Sequence, residues 1–399
     1  MCAISGLGGA ELSLLELVAH LRDVYEFHLI VPGEGAFKDR AESVGAKVWV
    51  LPWPEAVAGV GETARRPSVA GMLRSATSLR SFTRRLSRLL DEIRPTALIT
   101  NAAKAHVIGA LLRKRKGVPL IWYMRDGLKN RGLSRKLLAL LSSRCDLAIC
   151  ISRYVAAQFR EYVSPSVPAH EIYNIVDLGR FHPEALPPAD LPKQPGEVWF
   201  GIVGAITPLK GQDIFLDAAE RVLSEIPNAV FAVVGNNPYV TEAGLSYEER
   251  LRDRVRNSTL RERVKFLGFR NDVPEILSQL DVLVQPNRGP EGLGRSVLEA
   301  MACAVPVIAV NQWGPAELVE DGKSGLLFAP LATEQLAFHM ISLGRNESLR
   351  KTMGQRGYDW IQLNLVAEDL AEKFDSAVAA AIASATINAT PCPLQEATA

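Results

Sequence analysis

Glu291 and Glu299 stand eight residues apart in the stretch Pro286-Asn287-Arg288-Gly289-Pro290-Glu291-Gly292-Leu293-Gly294-Arg295-Ser296-Val297-Leu298-Glu299-Ala300-Met301-Ala302. The apolar spacing after Ser296 is helical, so Glu291 falls on the loop feeding a helix and Glu299 projects from that helix about two turns on. A carboxylate accepts hydrogen bonds on both oxygens, which suits vicinal hydroxyls of a hexose or a ribose. Gly292 and Gly294 open the backbone N–H groups at the helix start to an anion, and the helix dipole favours negative charge there. Two surface glutamates meet this spacing by chance, but here they sit among glycines and apolar residues. The expected chemistry is the holding of a sugar joined to a diphosphate.

Four other loops could share that task. Val203-Gly204-Ala205-Ile206-Thr207-Pro208-Leu209-Lys210-Gly211 lies between an apolar strand and a helix, which puts Lys210 at the carboxyl edge of a sheet where α/β proteins bind ligands. A lysine there can neutralise a diphosphate, although alone it would read as a solvated helix-start lysine. Gly235-Asn236-Asn237 and Gly268-Phe269-Arg270 follow two further apolar runs and could form a base pocket on the same edge, or be plain turns. Gly6-Leu7-Gly8-Gly9-Ala10-Glu11 opens the first helical segment, and its glycines suit an anion or a ligand-free tight turn equally. The six histidines, His20, His28, His106, His170, His182 and His339, are scattered without metal spacing, so no metal site is expected.

The elements that must position these residues alternate. Short apolar runs at Glu26–Val31, Lys47–Leu51, Ala97–Thr100, Leu120–Met124 and Asp146–Ile151 are separated by helical segments, among them a long Leu/Arg helix over about Ser68 to Ile93. Alternation restarts at Val198–Val203 and continues through strands at Val230–Val234, Val264–Leu267, Val282–Gln285 and Val305–Val310, with helices between them. Parallel strands buried on both faces read as continuous apolar runs, so both halves are expected to be doubly wound Rossmann-like domains. The boundaries expected are 1–182 for the first domain, 183–197 for a proline-dense linker, 198–365 for the second, 366–385 for a terminal helix and 386–399 for a frayed tail. Only Met1 to Ser5 precede Gly6, so the first strand is expected to be truncated, with an upstream start as the favoured explanation.

Composition sets the frame for function. At 399 residues, 48% hydrophobic and 22% charged, the chain suits two folded domains. A formal charge of +1 conceals 26 Lys/Arg against 17 Asp/Glu over residues 1–185, a balance of +9, and 19 against 27, or −8, over the remainder. Arg80, Arg84, Arg85 and Arg88, the run Arg113 to Lys116, and Lys129, Arg131, Arg135 and Lys136 carry much of the basic excess. Such clusters read first as solvated helix faces and second as contacts with an anionic membrane surface; nucleic acid is not expected. Five cysteines, an odd number within apolar runs, fit a reduced compartment. With no run of about 18 apolar residues and no leader pattern, the expected place is the cytoplasm, or peripherally the inner face of the membrane.

These residues carry a resemblance. Gly8-Gly9-Ala10-Glu11, Asn174-Ile175-Val176-Asp177 with Phe181, Lys210-Gly211, Asp281 to Pro286, the Glu291-x7-Glu299 block, Ala300-Met301-Ala302 with Pro306-Val307-Ile308, Glu317 and Gly325-Leu326-Leu327 are similar to the motifs of the retaining glycosyltransferases of family 4, over nearly the whole chain. The resemblance implies a GT-B fold, α/β with two Rossmann-like domains facing across a cleft, the first for the acceptor and the second for a nucleoside diphosphate sugar. It implies Glu291 on the transferred sugar, Glu299 on the ribose, Lys210 on the phosphates, and Gly292, Leu293, Gly294 and Arg295 around sugar and diphosphate. No metal or other cofactor is implied, and the expected role is transfer to a glycan or lipid-linked acceptor in polysaccharide or envelope assembly.

Three departures stand out. Ala205 takes the place of an arginine usual after the phosphate-loop glycine, with Arg295 as a compensating cation. Trp122-Tyr123-Met124-Arg125-Asp126 stands where many members have a histidine, leaving Tyr123 or Arg125 as its counterpart. Ile175 and Ala304 replace glycines. Catalytic roles are expected of Glu291, Lys210 and Arg125, and donor binding of Gly8, Gly9, Gly204, Gly235, Gly268 and Phe269 besides the residues above. A sugar-nucleotide-binding protein of the same fold without turnover is the alternative. A nicotinamide enzyme would need a third glycine at Val297 and is disfavoured.

Overall fold

The computed structural model of the protein describes residues 1–2, 6–54, 69–112, 117–129, 132–184, 190–191, 193–237 and 242–387. Ala3 to Ser5, Pro187, Pro188, Pro192, the run Arg113 to Lys116, Arg131 and most of the expected tail lie outside them. The chain forms two compact units, Met1–Asn174 together with the segment from Glu368 onward, and Ile175–Ala367.

The first unit runs α1 (Gly9–Leu21), β1 (His28–Val31), α2 (Ala36–Ser43), β2 (Lys47–Val50), α3 (Val69–Ile93), β3 (Leu98–Thr100), α4 (Ala103–Leu111), β4 (Leu120–Met124), α5 (Gly132–Leu141), β5 (Leu147–Cys150), α6 (Arg153–Tyr162) and β6 (Ala169–Glu171). β1 and β2 pair parallel, and β3-β4-β5-β6 form a second parallel sheet in that order. Between the two sheets stand Met1 and Cys2. The Cys2 N–H donates to the Ile30 carbonyl at 3.0 Å and the Asn101 N–H to the Met1 carbonyl at 3.1 Å; the Met1 amine donates to the Ile99 carbonyl at 2.7 Å.

β4 and β5 are buried along their whole length, which is why their sequences, LIWYM and LAIC, show no alternation. α3 is amphipathic by the helical repeat: Phe82, Leu86 and Leu90 face the core, while Arg80, Arg84, Arg85 and Arg88 are exposed. Ser152 caps α6, its Oγ accepting from the Val155 N–H at 3.1 Å.

The second unit runs β7 (Val198–Val203), α7 (Gln212–Glu225), β8 (Ala229–Val234), α8 (Glu242–Arg256), β9 (Val264–Gly268), α9 (Val273–Gln279), β10 (Val282–Gln285), α10 (Arg295–Ala302), β11 (Val307–Val310), α11 (Pro315–Leu318), β12 (Gly325–Phe328), α12 (Thr333–Arg345) and α13 (Glu347–Asn364). Its six parallel strands follow the order β12-β11-β10-β7-β8-β9. Phe200, Phe215 and Phe231 fill the space under α7, with Phe231 5.8 Å from Phe200 and 6.0 Å from Phe215 between ring centroids. The order reverses direction between β7 and β10, the switch point at which doubly wound sheets open a crevice beyond their carboxyl ends.

A final helix, α14 (Ala367–Ile387), belongs to the first unit from Glu368 onward. There Asp375 accepts from the Tyr25 hydroxyl at 2.6 Å and Phe374 packs on Tyr123 with centroids 5.5 Å apart.

Candidate nucleotide-sugar site

The loops leaving β7 and β10 carry Lys210 and Glu291, and they meet at the switch point. Lys210 ends a short 3-10 turn, Pro208–Lys210, after which Gly211 takes φ 74°. A Cβ on Gly211 would stand 2.1 Å from the Pro286 carbonyl oxygen, so glycine is what lets the β7 loop lie against the β10 loop. The N–H groups of Arg288 and Gly289 both donate to the Leu209 carbonyl, at 2.9 and 3.1 Å. With the two loops fixed, Lys210 Nζ pairs with Glu291 Oε2, and the same oxygen accepts from Asn287 Nδ2 at 3.0 Å. Asn287 is buried at the end of β10.

A third loop closes on the second. The Gly314 N–H donates to the Glu291 carbonyl at 3.1 Å, and a Cβ on Gly314 would meet the Gly292 carbonyl oxygen at 2.2 Å. Gly294, at φ 95°, forms the N-cap of α10, with Leu293 buried behind it. At the first residue of α10, Arg295 Nε donates to Oε1 of Glu299 one turn on, at 2.6 Å, and the two side chains are only 14% and 9% exposed. A bonded pair this buried fixes the direction of the Glu299 carboxylate.

On the other side of the switch point three glycines stand in a row across the strand ends. The Gly204 N–H donates to the Val234 carbonyl at 2.9 Å and the Gly235 N–H to the Gly268 carbonyl at 2.7 Å. Gly235 has φ 133°, and a Cβ there would fall 2.0 Å from the Gly204 carbonyl oxygen. No side chain fits between the Gly204 and Gly235 backbones, whereas a Cβ on Gly268 would meet nothing within 4 Å, so the edge is a ledge of bare backbone beside Lys210. Phe269, next along, is 55% exposed. Ala205 gives its carbonyl to Gln212 Nε2 at 2.9 Å and brings no charge to this edge.

The expected residues thus fall in two sets. Gly204, Lys210, Gly235, Gly268, Phe269, Glu291, Gly292, Leu293, Gly294, Arg295 and Glu299 belong to the loops at the carboxyl edge of the second unit's sheet, whereas Gly8, Gly9 and Arg125 belong to the first unit. Gly8 is the N-cap of α1, and the buried Glu11 carboxylate accepts from the Gly8 N–H and from its own. Burial pushes the Glu11 carboxyl above the usual carboxylate range. Arg125 is buried: Nε donates to Asn101 Oδ1 at 2.8 Å, Nη1 to Asn174 Oδ1 at 2.7 Å, and its guanidinium lies 3.9 Å over the Tyr123 ring. Tyr123 itself is buried under α14, so of the two counterparts it is Arg125 that has polar surroundings. Asn101 carries no periodic or spacing signal in the sequence, and Glu11 and Asn287 stand within the quoted glycine loop and Pro286–Ala302 stretch with nothing in their residue type to mark a role. No group of three or more His, Cys, Asp or Glu side chains able to hold a metal is formed among the described residues.

Comparison with known proteins finds a family match in both halves of the chain. Residues 7–180 match the family described as Glycosyltransferase Family 4, and residues 188–360 match Glycosyl transferases group 1. The chain belongs to the family 4 glycosyltransferases. Members transfer a sugar from a nucleotide-sugar donor to a glycan or lipid-linked acceptor with retention. An uncharacterized glycosyltransferase of Methanocaldococcus jannaschii is 30% identical over 260 residues, 63% of this chain and 66% of that protein. The GDP-mannose-dependent alpha-(1-6)-phosphatidylinositol monomannoside mannosyltransferase of Mycobacterium tuberculosis is 26% identical over 293 residues, 70% of this chain and 72% of its own. Among solved structures, Anabaena HepE in complex with UDP and glucose superposes with a TM-score of 0.77 at 23% identity, covering 95% of this chain and 98% of that one. That likeness places the fold among the GT-B glycosyltransferases.

Proposed function

We propose that the loops of the second unit bind a UDP- or GDP-linked hexose, and that the enzyme passes the hexose to a lipid-linked acceptor at the membrane surface. The observation that carries the donor assignment is the meeting of Lys210 and Glu291 at the β7/β10 switch point, flanked by the α10 N-terminus and the glycine ledge. In this reading Glu291 holds sugar hydroxyls, Glu299 takes the ribose, and Lys210, Arg295 and the α10 N–H groups neutralise the diphosphate as it departs. The phosphate-loop arginine being absent at Ala205, Lys210 and Arg295 carry that neutralisation between them. The relatives that act on phosphatidylinositol monomannoside in M. tuberculosis and on GlcNAc-diphosphoundecaprenol in Escherichia coli support a lipid-linked acceptor. The exposed arginines of α3, together with Lys136, Leu137 and Leu140 exposed on α5, support peripheral contact with an anionic membrane.

Glu291→Gln tests the donor site, because it preserves volume and removes the charge that strengthens sugar hydrogen bonds. The expected outcome is a loss of about 100-fold or more in transfer from the preferred UDP- or GDP-hexose, with nucleoside diphosphate affinity held within a few-fold. Activity within a few-fold of the parent would overturn the assignment. The non-catalytic alternative, favoured by Ala205 and by Arg125 in the place of a histidine, is separated in the same assay: donor that binds but is neither hydrolysed nor transferred would establish it.

A further inference from the structure

Arg125 is 7% exposed and Asn101 4%. They sit at the carboxyl ends of the neighbouring parallel strands β4 and β3. Asn101 and Asn174 orient the guanidinium from two sides and the Tyr123 ring supports its face, which fixes it in one direction. Yet among the described residues Arg125 Nη2 and Asn101 Nδ2 have no hydrogen-bond partner. Buried donors are almost always paired, and a charged one left without an acceptor is costly. Here two stand in one cluster, with Asn101 holding Arg125 through its oxygen while its own amide nitrogen remains open.

The surrounding charges do not supply the missing acceptor. Glu11, at the start of α1, is an acidic group near enough to feel the Arg125 charge, and its carboxylate is engaged by the N–H groups of Gly8 and of Glu11 itself. Asp126 acts on Glu11, and the other neighbours, the Met1 amine and the Cys2 thiol, bring no anion at neutral pH. A guanidinium N–H beside a carboxamide N–H is a two-donor set that suits two oxygens of a carboxylate or a phosphate.

We propose that Arg125 and Asn101 form an anion-recognition pair in the first unit, which selects a substrate bearing a carboxylate, as on a uronic acid, or a phosphate, as on a phosphorylated acceptor. This rests on the proposed transferase function only for the kinds of substrate named. The two sources share one chemistry, an anionic group with at least two oxygens in a plane or cone.

The test is calorimetric titration of the full chain with matched pairs: glucuronate against glucose for the carboxylate, and glycerol 3-phosphate against glycerol for the phosphate. The expected result is that the anion of at least one pair binds about tenfold more tightly than its neutral partner or better; the pair that does so identifies the source. Arg125→Lys should reduce that preference by losing the planar fork. Because Arg125→Lys also loosens contacts to two asparagines, Asn101→Asp is the decisive variant. It keeps an oxygen for Arg125 Nε, so the fold is retained, but places negative charge where the anion would sit and removes the Nδ2 donor. The preference should then fall to within about twofold. Absence of preference in both pairs, or a preference unchanged by Asn101→Asp, would overturn the proposal. UDP and GDP titrated alongside report on the second unit, so their failure to bind would count against the donor site and leave the anion preference readable.

Discussion

Lys210 and Glu291 neutralise one another at side-chain exposures of 32% and 20%. A pair so open to water contributes at most about 1 kcal/mol to stability, so its placement at the switch point is better explained by what it offers a ligand. In the proposed donor site, a diphosphate arriving beside Lys210 would compete with Glu291 for the ammonium and free the carboxylate for the sugar. Lys210→Ala is therefore expected to weaken UDP or GDP by about tenfold or more while leaving uridine or guanosine within about twofold. Isothermal titration of the four ligands checks this, and equal losses for nucleoside and diphosphate would contradict it. His106 acts on stability instead. Its ring is buried against Trp122, 5.4 Å between centroids, and Nδ1 is 2.6 Å from Thr100 Oγ1. Burial, with a smaller contribution from the Met1 amine, lowers its pKa to about 3. An unfolded histidine titrates near pH ~6.5, so between there and about 3 the unfolded chain binds a proton that the folded chain refuses. The His106 contribution is whole above that window and is lost as pH falls through it, by up to about 1.4 kcal/mol per unit. Urea denaturation from pH 7 to 5 should show a shallower fall for His106→Gln than for the parent; parallel slopes would remove His106 from the account.

At the scale of elements, the glycine ledge makes the sharpest demand. Gly235→Ala sets a methyl 2.0 Å from the Gly204 carbonyl oxygen at a backbone angle, φ 133°, that L side chains avoid. It should cost at least about 2 kcal/mol of stability and weaken nucleotide binding as the β7 and β8 loops part. Chemical denaturation with and without UDP or GDP reads both effects, and an unchanged midpoint would mean the ledge yields freely. What could be read from sequence follows the same division between local and distant causes. Val198–Val203, Val282–Gln285 and Leu120–Met124 coincide with their apolar runs because a strand buried on both faces writes its own limits. β6, the edge strand Ala169–Glu171, carries no such run, since its side chains are partly or fully exposed. Lys210 and Glu291 could be placed on one sheet edge by motif, but their ion pair depends on Gly211 and Gly289 bringing two loops together across the reversal of strand order. The attachment of α14 to the first unit, through Tyr25 and Asp375 at a separation of 350 residues, leaves no local pattern to read.

For the whole molecule, the formal charge of +1 is a poor guide to its surface, because residues 1–185 hold +9 and the remainder −8. α3 concentrates the basic excess. Arg80, Arg84 and Arg88 recur at the helical repeat on its exposed side, opposite Phe82, Leu86 and Leu90, so their charges point one way. No helix among the described residues is long and apolar enough to cross a membrane. The proposed lipid-linked acceptor would be met at a membrane surface, and exposed leucines beside basic residues on α5 are of the kind that enter the headgroup layer. Each arginine close to an anionic surface is worth about 1 kcal/mol. Arg80→Glu, Arg84→Glu and Arg88→Glu combined should then abolish cosedimentation with phosphatidylglycerol vesicles, while the parent binds them and loses binding as salt rises beyond about 0.2 M. Neutral phosphatidylcholine vesicles should retain neither protein. Transfer to a short soluble acceptor should persist in the triple variant, because none of the three arginines belongs to the donor loops, whereas transfer to acceptor embedded in anionic vesicles should fall by about 100-fold. Equal loss on both acceptors would place the arginines in the reaction itself, and equal vesicle binding by parent and variant would return α3 to an ordinary solvated face.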